Sequence, residues 1–177
     1  MSDPSLKYAN VERERRWLLD PTTPLPGGDD VLTIVDRYVL GSRLRLRETL
    51  AVDGSRVRKL GHKVRLGEGP EEIACTSLYL DEGEWGLLLA LPAAELRKER
   101  RRLRIDGRVV AVDVFAGDCA GLVLVEIDGA RDLSPADAGL DPVAEVTADE
   151  RFTGGALAAA ARADVCAALA AYGLVPA

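Results

Sequence analysis

Histidine and cysteine are scarce in this chain of 177 residues. The single histidine, His62, argues against a Ser-His-Asp triad and against a metal site built from several histidines. The three cysteines, Cys75, Cys119 and Cys166, are odd in number, lie far apart and form no C-x-x-C pair. We therefore expect neither a disulfide scaffold nor a thiolate zinc site, and a reducing compartment suits the chain best.

The chain also lacks long apolar segments and an excess of basic residues. No stretch approaches the roughly 20 apolar residues that span a bilayer. The N-terminal segment MSDPSLKYAN has no basic stretch followed by an apolar run, as a secretory signal would. Lys and Arg number 23 against 29 Asp and Glu, a formal net charge of −6. These features predict a cytoplasmic protein whose partners include neither a membrane nor duplex nucleic acid.

Short segments between Gly and Pro residues make up most of the chain. Their length and alternation predict eight strands, at residues 8–19, 31–40, 43–52, 57–66, 72–80, 96–105, 108–116 and 121–128. The sequence pattern over residues 81–91 predicts a short helix. The Ala-rich C-terminal segment predicts one helix that begins after Thr153 and ends at Gly173. Because 47% of the residues are hydrophobic and 29% charged, we expect one globular domain over residues 1–177.

Charged residues recur at every second position in five of the predicted strands. In a strand, such residues share one face. The five sets are Glu12, Glu14 and Arg16; Arg43, Arg45 and Arg47; Lys59, Lys63 and Arg65; Lys98, Arg100, Arg102 and Arg104; and Glu126 and Asp128. For any one strand, a solvent-exposed face is the simplest interpretation. Basic residues on neighbouring strands repel each other, however, unless an anion lies between them.

A closed barrel with a charged lumen satisfies all five patterns at once, because the apolar faces then point outward and helices cover them. We therefore expect a mainly β, α+β fold. It is an eight-stranded antiparallel closed barrel or tunnel, with the Ala-rich helix and residues 81–91 as cover. Clustered Arg and Lys suit a polyanion with several phosphates. Clustered carboxylates among them suit Mg²⁺ or Mn²⁺, which would join carboxylate to phosphate oxygen.

The ordered set of motifs resembles the CYTH domain of the triphosphate tunnel metalloenzyme superfamily over about residues 7–160. Glu12-Arg-Glu14-Arg-Arg16 is similar to the family's opening ExExK, Arg43-Leu-Arg45 to its RxR strand, and Lys98-Glu-Arg100 to its KxR strand. Lys63 resembles the lysine of the strand between them. VDVFAGDCAGLVLVEID resembles the DxFxG…GLxxxExE block and contains Asp113, Glu126 and Asp128; EVTADERFTGGALA resembles the closing segment and contains Arg151.

The resemblance implies an eight-stranded tunnel and chemistry that depends on one or two Mg²⁺ or Mn²⁺ ions. Family members hydrolyse inorganic triphosphate, thiamine triphosphate or RNA 5′-triphosphate ends, and some are adenylate cyclases. The implied catalytic residues are Glu12, Glu14, Arg16 and Glu126. The implied substrate ligands are Arg43, Arg45, Lys63, Lys98, Arg100 and Arg151. The implied metal ligands are Glu12, Glu14, Glu126 and Asp128, and Asp113 is either a further ligand or an orienting partner for Arg or Lys.

Three departures from the family pattern bear on the chemistry. Arg16 replaces the lysine of ExExK and cannot release its proton. Asp128 is one methylene shorter than the family's glutamate. On the fifth strand, Glu72 is the one carboxylate where many members carry ExE, so a second metal site is weaker or built differently.

We expect a metal-dependent triphosphatase that acts on inorganic tripolyphosphate or on a nucleoside or other organic triphosphate. An adenylate cyclase of the class IV type and a polyphosphate- or nucleotide-binding module without turnover remain alternatives. The sequence is also compatible with a homodimer.

Overall fold

A computed structural model describes residues 6–27, 30–67, 72–129 and 133–175. Its strands are β1 (Asn10–Leu18), β2 (Asp30–Val39), β3 (Leu44–Ala51), β4 (Arg56–Arg65), β5 (Glu72–Tyr79), β6 (Ala93–Ile105), β7 (Arg108–Phe115), β8 (Val123–Asp128) and β9 (Ala144–Glu145). Its α-helices are α1 (Glu82–Leu88), α2 (Gly154–Ala159) and α3 (Arg162–Ala170). Within these ranges no helix is both long and apolar enough to cross a bilayer.

Eight of the strands form a closed antiparallel barrel. The order around the barrel is β1-β8-β7-β6-β2-β3-β4-β5, and β5 pairs with β1 to close it. Strand β1 closes the barrel, because its residues Asn10–Arg13 pair with β5 and its residues Glu14–Leu18 pair with β8. The two-residue strand β9, which the sequence did not predict, pairs with Trp17 and Leu18. The predicted eight-stranded barrel is therefore confirmed.

Local sequence signals account for the connections on either side of β6. Asp106 and Gly107 have φ of 49° and 78°, the left-handed conformation that a two-residue hairpin between β6 and β7 requires. Asp81 caps α1 by accepting a hydrogen bond from the Glu84 N–H (2.8 Å), and the Glu84 carboxylate accepts one from the Asp81 N–H (2.9 Å). The helix buries Trp85, over whose ring the Arg58 guanidinium lies at 5.6 Å. The predicted helix at 81–91 is present but ends at Leu88.

The Ala-rich segment forms two helices, so the prediction of one continuous helix was wrong. Ala160 and Ala161 adopt extended backbone, with ψ of 138° and 159°. The Asp164 carboxylate accepts a hydrogen bond from the Ala161 N–H (3.2 Å), which starts α3 anew. The Arg162 guanidinium bonds to the Ala120 carbonyl and ties α3 to the loop after β7. Tertiary contacts thus override the high helix propensity of alanine. Thr153 precedes α2, but its hydroxyl donates to the Glu150 carbonyl (2.9 Å) instead of capping the helix.

The C-terminal helices cover the barrel at one end of its lumen. Four apolar strand residues in the core beneath them lie on the same strand faces as charged lumen residues: Leu18, Leu96, Phe115 and Leu124. Leu157, Val165 and Leu169 of the helices pack against this group. A second core, which includes Val112 and Val125, lies on the outer wall and is covered by Leu133 and Leu140. The helices therefore close one end of the lumen, and the polar part of the lumen remains accessible beside them.

Candidate functional site

The barrel encloses a cavity of about 570 Å³ that is lined mostly by charged side chains. The described residues that line it include eight basic and four acidic side chains: Arg16, Arg43, Arg45, Arg47, Lys63, Arg65, Lys98 and Arg100, with Glu12, Glu14, Glu126 and Asp128. Arg43 immediately precedes β3, and the others come from strands β1, β3, β4, β6 and β8. The remaining lining residues are Tyr38, Ser42, Leu44, Ile73, Thr153, Gly154 and Gly155. An excess of positive charge around one cavity favours a small ligand with several negative charges.

One pair of basic residues, Lys98 and Arg100 on β6, is held by Asp113 on β7, which is opposite Arg100 on the same face of the sheet. Asp113 is fully buried. It accepts two hydrogen bonds from the Arg100 guanidinium, each 2.6 Å long, and a further one from the Lys98 ammonium. Arg100 also bonds to the Glu126 carboxylate. Burial opposes the charge on Arg100, but Glu126 and Asp113 outweigh it and raise the pKa of the guanidinium. Asp113 therefore fixes the position of both side chains, and Arg100 is a permanent cation.

A second pair of basic residues, Arg45 and Arg47 on β3, is held in the same way by Asp36 on β2. Asp36 is 1% exposed. It accepts hydrogen bonds from Nε and Nη2 of Arg47, at 2.6 and 2.7 Å, and Nε of Arg45 lies 3.5 Å from its Oδ1. Burial disfavours the Asp36 carboxylate, but the two guanidinium groups outweigh it and lower its pKa to about 2. Asp36 is thus an anion at any physiological pH.

Tyr38 lies beside this pair and lines the cavity. It is directly opposite Arg45 in the β2–β3 register. Burial and the charge of Asp36 raise the pKa of the Tyr38 phenol to about 12, although Arg45 favours the phenolate. Tyr38 is therefore a neutral hydroxyl in contact with the cavity.

Arg16 brings a cation to the floor of the cavity. It is 4% exposed, and its Nη2 donates to the Thr147 carbonyl at 3.3 Å while its backbone N–H donates to the Thr147 hydroxyl at 3.0 Å. Within the described part of the chain, Nε of Arg16 and Nε of Arg45 are buried donors without a hydrogen-bond partner. A buried donor without a partner costs about 1–3 kcal/mol. An anionic ligand in the cavity would supply the missing acceptors.

Glu14 and Glu126 lie on neighbouring strands and affect each other's ionisation. In the β1–β8 register Glu126 is directly opposite Arg16, two residues along β1 from Glu14. The charge of Glu126, together with burial, raises the pKa of Glu14. Burial disfavours the Glu126 carboxylate, but Lys98, Arg100 and other cations outweigh it and lower its pKa. Two buried carboxylates that repel each other would both be stabilised by a bound cation.

Two further ion pairs lie at the wall and rim of the cavity. The Lys63 ammonium donates to the Glu12 carboxylate at 3.1 Å, linking β4 to β1. Arg65 at the end of β4 donates to Glu150 at 2.6 Å, which links the rim to the segment before α2. Lys63 and Arg65 are only partly buried, so both side chains can turn toward a ligand.

The carboxylates fit a divalent cation that is shared with a ligand. In the described ranges, no three His, Cys, Asp or Glu side chains are grouped closely enough to hold a metal ion by themselves. Mg²⁺, however, usually takes only one or two carboxylates, and substrate phosphates and water complete its shell. Glu14 and Glu126, with Glu12 and Asp128 on the same cavity wall, provide oxygen ligands of that kind. The residues therefore fit Mg²⁺ or Mn²⁺ bound together with a phosphate chain.

Three solved structures share this architecture. The inorganic triphosphatase NE1496 is 24% identical over 84% of this chain and 95% of its own, with a TM-score of 0.51. Another structure, described as the hypothetical protein NE1496, is 24% identical over 85% of this chain and 99% of its own, with a TM-score of 0.54. A conserved hypothetical protein from Pyrococcus furiosus is 18% identical over 92% of this chain and 91% of its own, with a TM-score of 0.51.

The chain shares the antiparallel tunnel fold of these structures. No protein-family model matches the chain, and no curated protein matches it. The tunnel brings together the predicted site residues with two exceptions. Those that line it are Glu12, Glu14, Arg16, Arg43, Arg45, Lys63, Lys98, Arg100, Glu126 and Asp128. The first exception, Asp113, is fully buried on the lumen face of β7, opposite Arg100 in the β6–β7 register, and Lys98 and Arg100 occupy its carboxylate. These contacts favour the orienting role over that of a metal ligand.

Arg151 is the second exception, because it is not among the residues that line the cavity. It lies outside the tunnel, where its guanidinium donates to both oxygens of Asp149, at 3.0 and 2.7 Å. Its charge also lies over the rings of Phe152 and Tyr172, at 5.8 and 5.9 Å. The neighbours of Arg151, namely Asp149, Phe152 and Tyr172, are not among the residues that line the tunnel.

The tunnel face of β5 also differs from the prediction. Glu72 points away from the tunnel and bonds to Arg13 at 2.6 Å, while its neighbour Ile73 lines the cavity. Among the described residues of β5, no carboxylate therefore faces the tunnel, whereas the sequence predicted one.

The predicted set of site residues leaves out four residues that the geometry makes prominent: Tyr38, Arg47 and Gly154, which line the tunnel, and Asp36, which contacts Arg47. The alternation placed Arg47 on the charged face with Arg43 and Arg45, but the resemblance did not name it as a substrate ligand. Asp36 and Tyr38 are two residues apart and therefore share one face of the strand that precedes the arginines. That spacing could have indicated Asp36. Gly154 has no signal in the sequence, because its importance is its contact with a strand more than a hundred residues away.

Proposed function

We propose that this protein hydrolyses a linear triphosphate in the presence of a divalent cation, with inorganic tripolyphosphate as the leading substrate. The observation that carries the proposal is the concentration of eight basic side chains around one enclosed cavity. Two of their donors, Nε of Arg16 and Nε of Arg45, are buried without a partner. Such a cavity fits a ligand with several phosphate groups better than any neutral molecule.

The lining also favours a phosphate chain without a base or a sugar. Tyr38 is the one aromatic residue among the described residues that line the tunnel, and no Asn or Gln is among them. Recognition of a nucleobase normally uses stacking aromatics and paired donors and acceptors, which this lining does not supply. The tunnel's chemistry is therefore directed at phosphate oxygens.

The two anchored basic pairs would hold the phosphates from different sides of the tunnel. Lys98 and Arg100 project from β6, and Arg45 and Arg47 from β3, two strands further around the barrel. Because Asp113 and Asp36 fix these pairs before substrate arrives, little reorganisation is needed when charge develops on the phosphates. Fixed cations in a water-poor site stabilise a phosphoryl-transfer transition state in this way.

Arg16 would act as a permanent charge near the reacting phosphate. A guanidinium does not release its proton in proteins, so Arg16 is not a base and its contribution is electrostatic. Glu14 and Glu126, with Glu12 and Asp128, would hold Mg²⁺ or Mn²⁺. The cation would neutralise phosphate charge and lower the pKa of a bound water.

Product analysis with two substrates tests this proposal. Purified protein would be incubated with tripolyphosphate or with ATP, in Mg²⁺, Mn²⁺ or chelator, and phosphate, ADP and cyclic AMP would be separated. The proposal predicts metal-dependent phosphate release, faster from tripolyphosphate than from ATP. Cyclic AMP as the main product from ATP would replace the proposal with a cyclase. Tight binding of tripolyphosphate without release under any metal would replace it with a binding module.

A further inference from the structure

Asp36, which contacts both Arg45 and Arg47, is among the most buried charged groups of the protein. Its two carboxylate oxygens accept hydrogen bonds from Nε and Nη2 of Arg47, at 2.6 and 2.7 Å. This two-bond arrangement fixes the plane of the guanidinium as well as its position. Asp36 and Arg47 are directly opposite each other in the β2–β3 register.

Charges on both sides of the lumen would move the Arg47 side chain if Asp36 did not hold it. It lies on β3, four strands around the eight-stranded barrel from β8, which carries Glu126. The two side chains thus face each other across the lumen, and the charge of Arg47 acts on Glu126 there. Arg100 repels Arg47 from its own side of the lumen. Without an anchor, Arg47 would be drawn across the tunnel toward the carboxylates.

We infer that Asp36 is a positioning residue for triphosphate binding, because it holds Arg47 on the β2–β3 wall and keeps the lumen open between Arg47 and Glu126. Arg45, whose Nε lies 3.5 Å from Asp36 without a hydrogen bond, is kept beside Arg47 with its donors directed to the ligand. The inference rests on the proposed function for the identity of the ligand. It concerns binding and not turnover.

A purely electrostatic role for Asp36 predicts the opposite effect of its removal. Asp36→Asn removes one negative charge from beside the cavity, which by itself would tighten the binding of a polyanion. The positioning role predicts weaker binding, because Arg47 then swings toward Glu126 and occupies the path of the phosphates. The sign of the change in affinity therefore separates the two roles.

Titration calorimetry with tripolyphosphate, in chelator and without divalent metal, is the experiment. The full-length chain would be compared as wild type, Asp36→Asn, Arg47→Met and the double variant. We expect Asp36→Asn to weaken binding about tenfold, the scale of losing one well-placed charge-assisted contact. We expect the double variant to bind as Arg47→Met does, because Asp36 acts through Arg47. Arg47→Lys keeps the charge but not the two-bond geometry, and should weaken binding as Asp36→Asn does.

Tighter binding by Asp36→Asn, or equal losses that add in the double variant, would overturn the inference. Circular dichroism and thermal melting would show whether each variant is folded. If Asp36→Asn does not fold, Arg47→Lys tests the same inference. Absence of binding by the wild type would also overturn it. Binding that behaves as expected, without any hydrolysis, would contradict only the proposed function.

Discussion

Gly154, the first residue of α2, lies directly against the phenol of Tyr38 in the tunnel wall. A Cβ atom built on Gly154 would overlap the Tyr38 hydroxyl oxygen and come within 3.0 Å of Cζ. The neighbouring Gly155 also faces Tyr38, but a Cβ there would lie 3.7 Å from the ring, an ordinary contact. Helix α2 thus contacts the tunnel wall at a position where only glycine fits.

Substitution of the two glycines should therefore have different effects. Gly154→Ala must displace Tyr38, which is buried beside Arg45, and we expect weaker tripolyphosphate binding and a lower melting temperature. Gly155→Ala meets no obstacle and removes a glycine from a helix, so we expect unchanged binding and a stability gain of up to about 1 kcal/mol. Calorimetry and thermal melting of both variants check this. Equal behaviour of the two would contradict the contact.

Two lysines on β4 test which residues the tunnel uses. The alternation of charges places Lys59 and Lys63 on one face, but Lys63 lines the cavity and bonds to Glu12, whereas Lys59 lies over the ring of Tyr79 at 4.6 Å. We expect Lys63→Ala to raise KM for tripolyphosphate about tenfold or more, the scale of a lost charge–phosphate contact. Lys59→Ala should leave KM within about twofold. A larger effect of Lys59→Ala would show that the ligand binds nearer that end of the barrel.

Asp36 should make the fold dependent on pH in the acid range. Its pKa in the folded protein is about 2, against 3.8 in its ordinary state. Since the folded pKa is the lower one, the stabilisation is complete above about pH 4 and is lost as pH falls through about 2. The loss corresponds to about 2 kcal/mol. The free energy of unfolding in urea, measured for wild type and Asp36→Asn, should differ by that much less at about pH 2 than near pH 6. A difference that does not change with pH would contradict this.

Arg151 should be dispensable for activity. Its guanidinium is occupied by Asp149 and lies over the rings of Phe152 and Tyr172, outside the tunnel. We expect Arg151→Ala to keep kcat and KM within about twofold, with a small decrease in melting temperature. Arg100→Ala, in the tunnel wall, is the matched comparison and should lose most activity. A large rise in KM for Arg151→Ala would restore the sequence-based prediction.

The barrel could be predicted because its signal is local to each strand. Alternation such as that of Arg43 and Arg45 with Leu44 and Leu46 fixes which face of a strand is buried and which is charged. Closure of the sheet into a barrel could also be predicted, because the charged faces of five strands need a common interior. The ends of the lumen could not be read in this way, since Leu18 and Leu124 lie on the same faces as the charged residues and become core only because α2 and α3 pack on them.

The parts of the site that escaped prediction depend on distant contacts. A buried carboxylate such as Asp36 looks like any surface aspartate until the register sets it opposite Arg47. Glu72 shows the reverse case, because the register of β5 turns it outward to Arg13. The break after Ala160 has no Pro or Gly to announce it, and only the contacts of Arg162 and Asp164 explain it.

Glu126 provides the most direct test of the account as a whole. It is the carboxylate that faces both the basic pair on β6 and Glu14, whereas Glu99 on the same barrel is exposed and bonds to Arg101 at 3.2 Å. The rate of phosphate release from tripolyphosphate in Mg²⁺ would be measured for wild type, Glu126→Gln and Glu99→Gln. The account predicts metal-dependent release by wild type and Glu99→Gln, and a loss of at least about a hundredfold in Glu126→Gln. Full metal-dependent release by folded Glu126→Gln would contradict it.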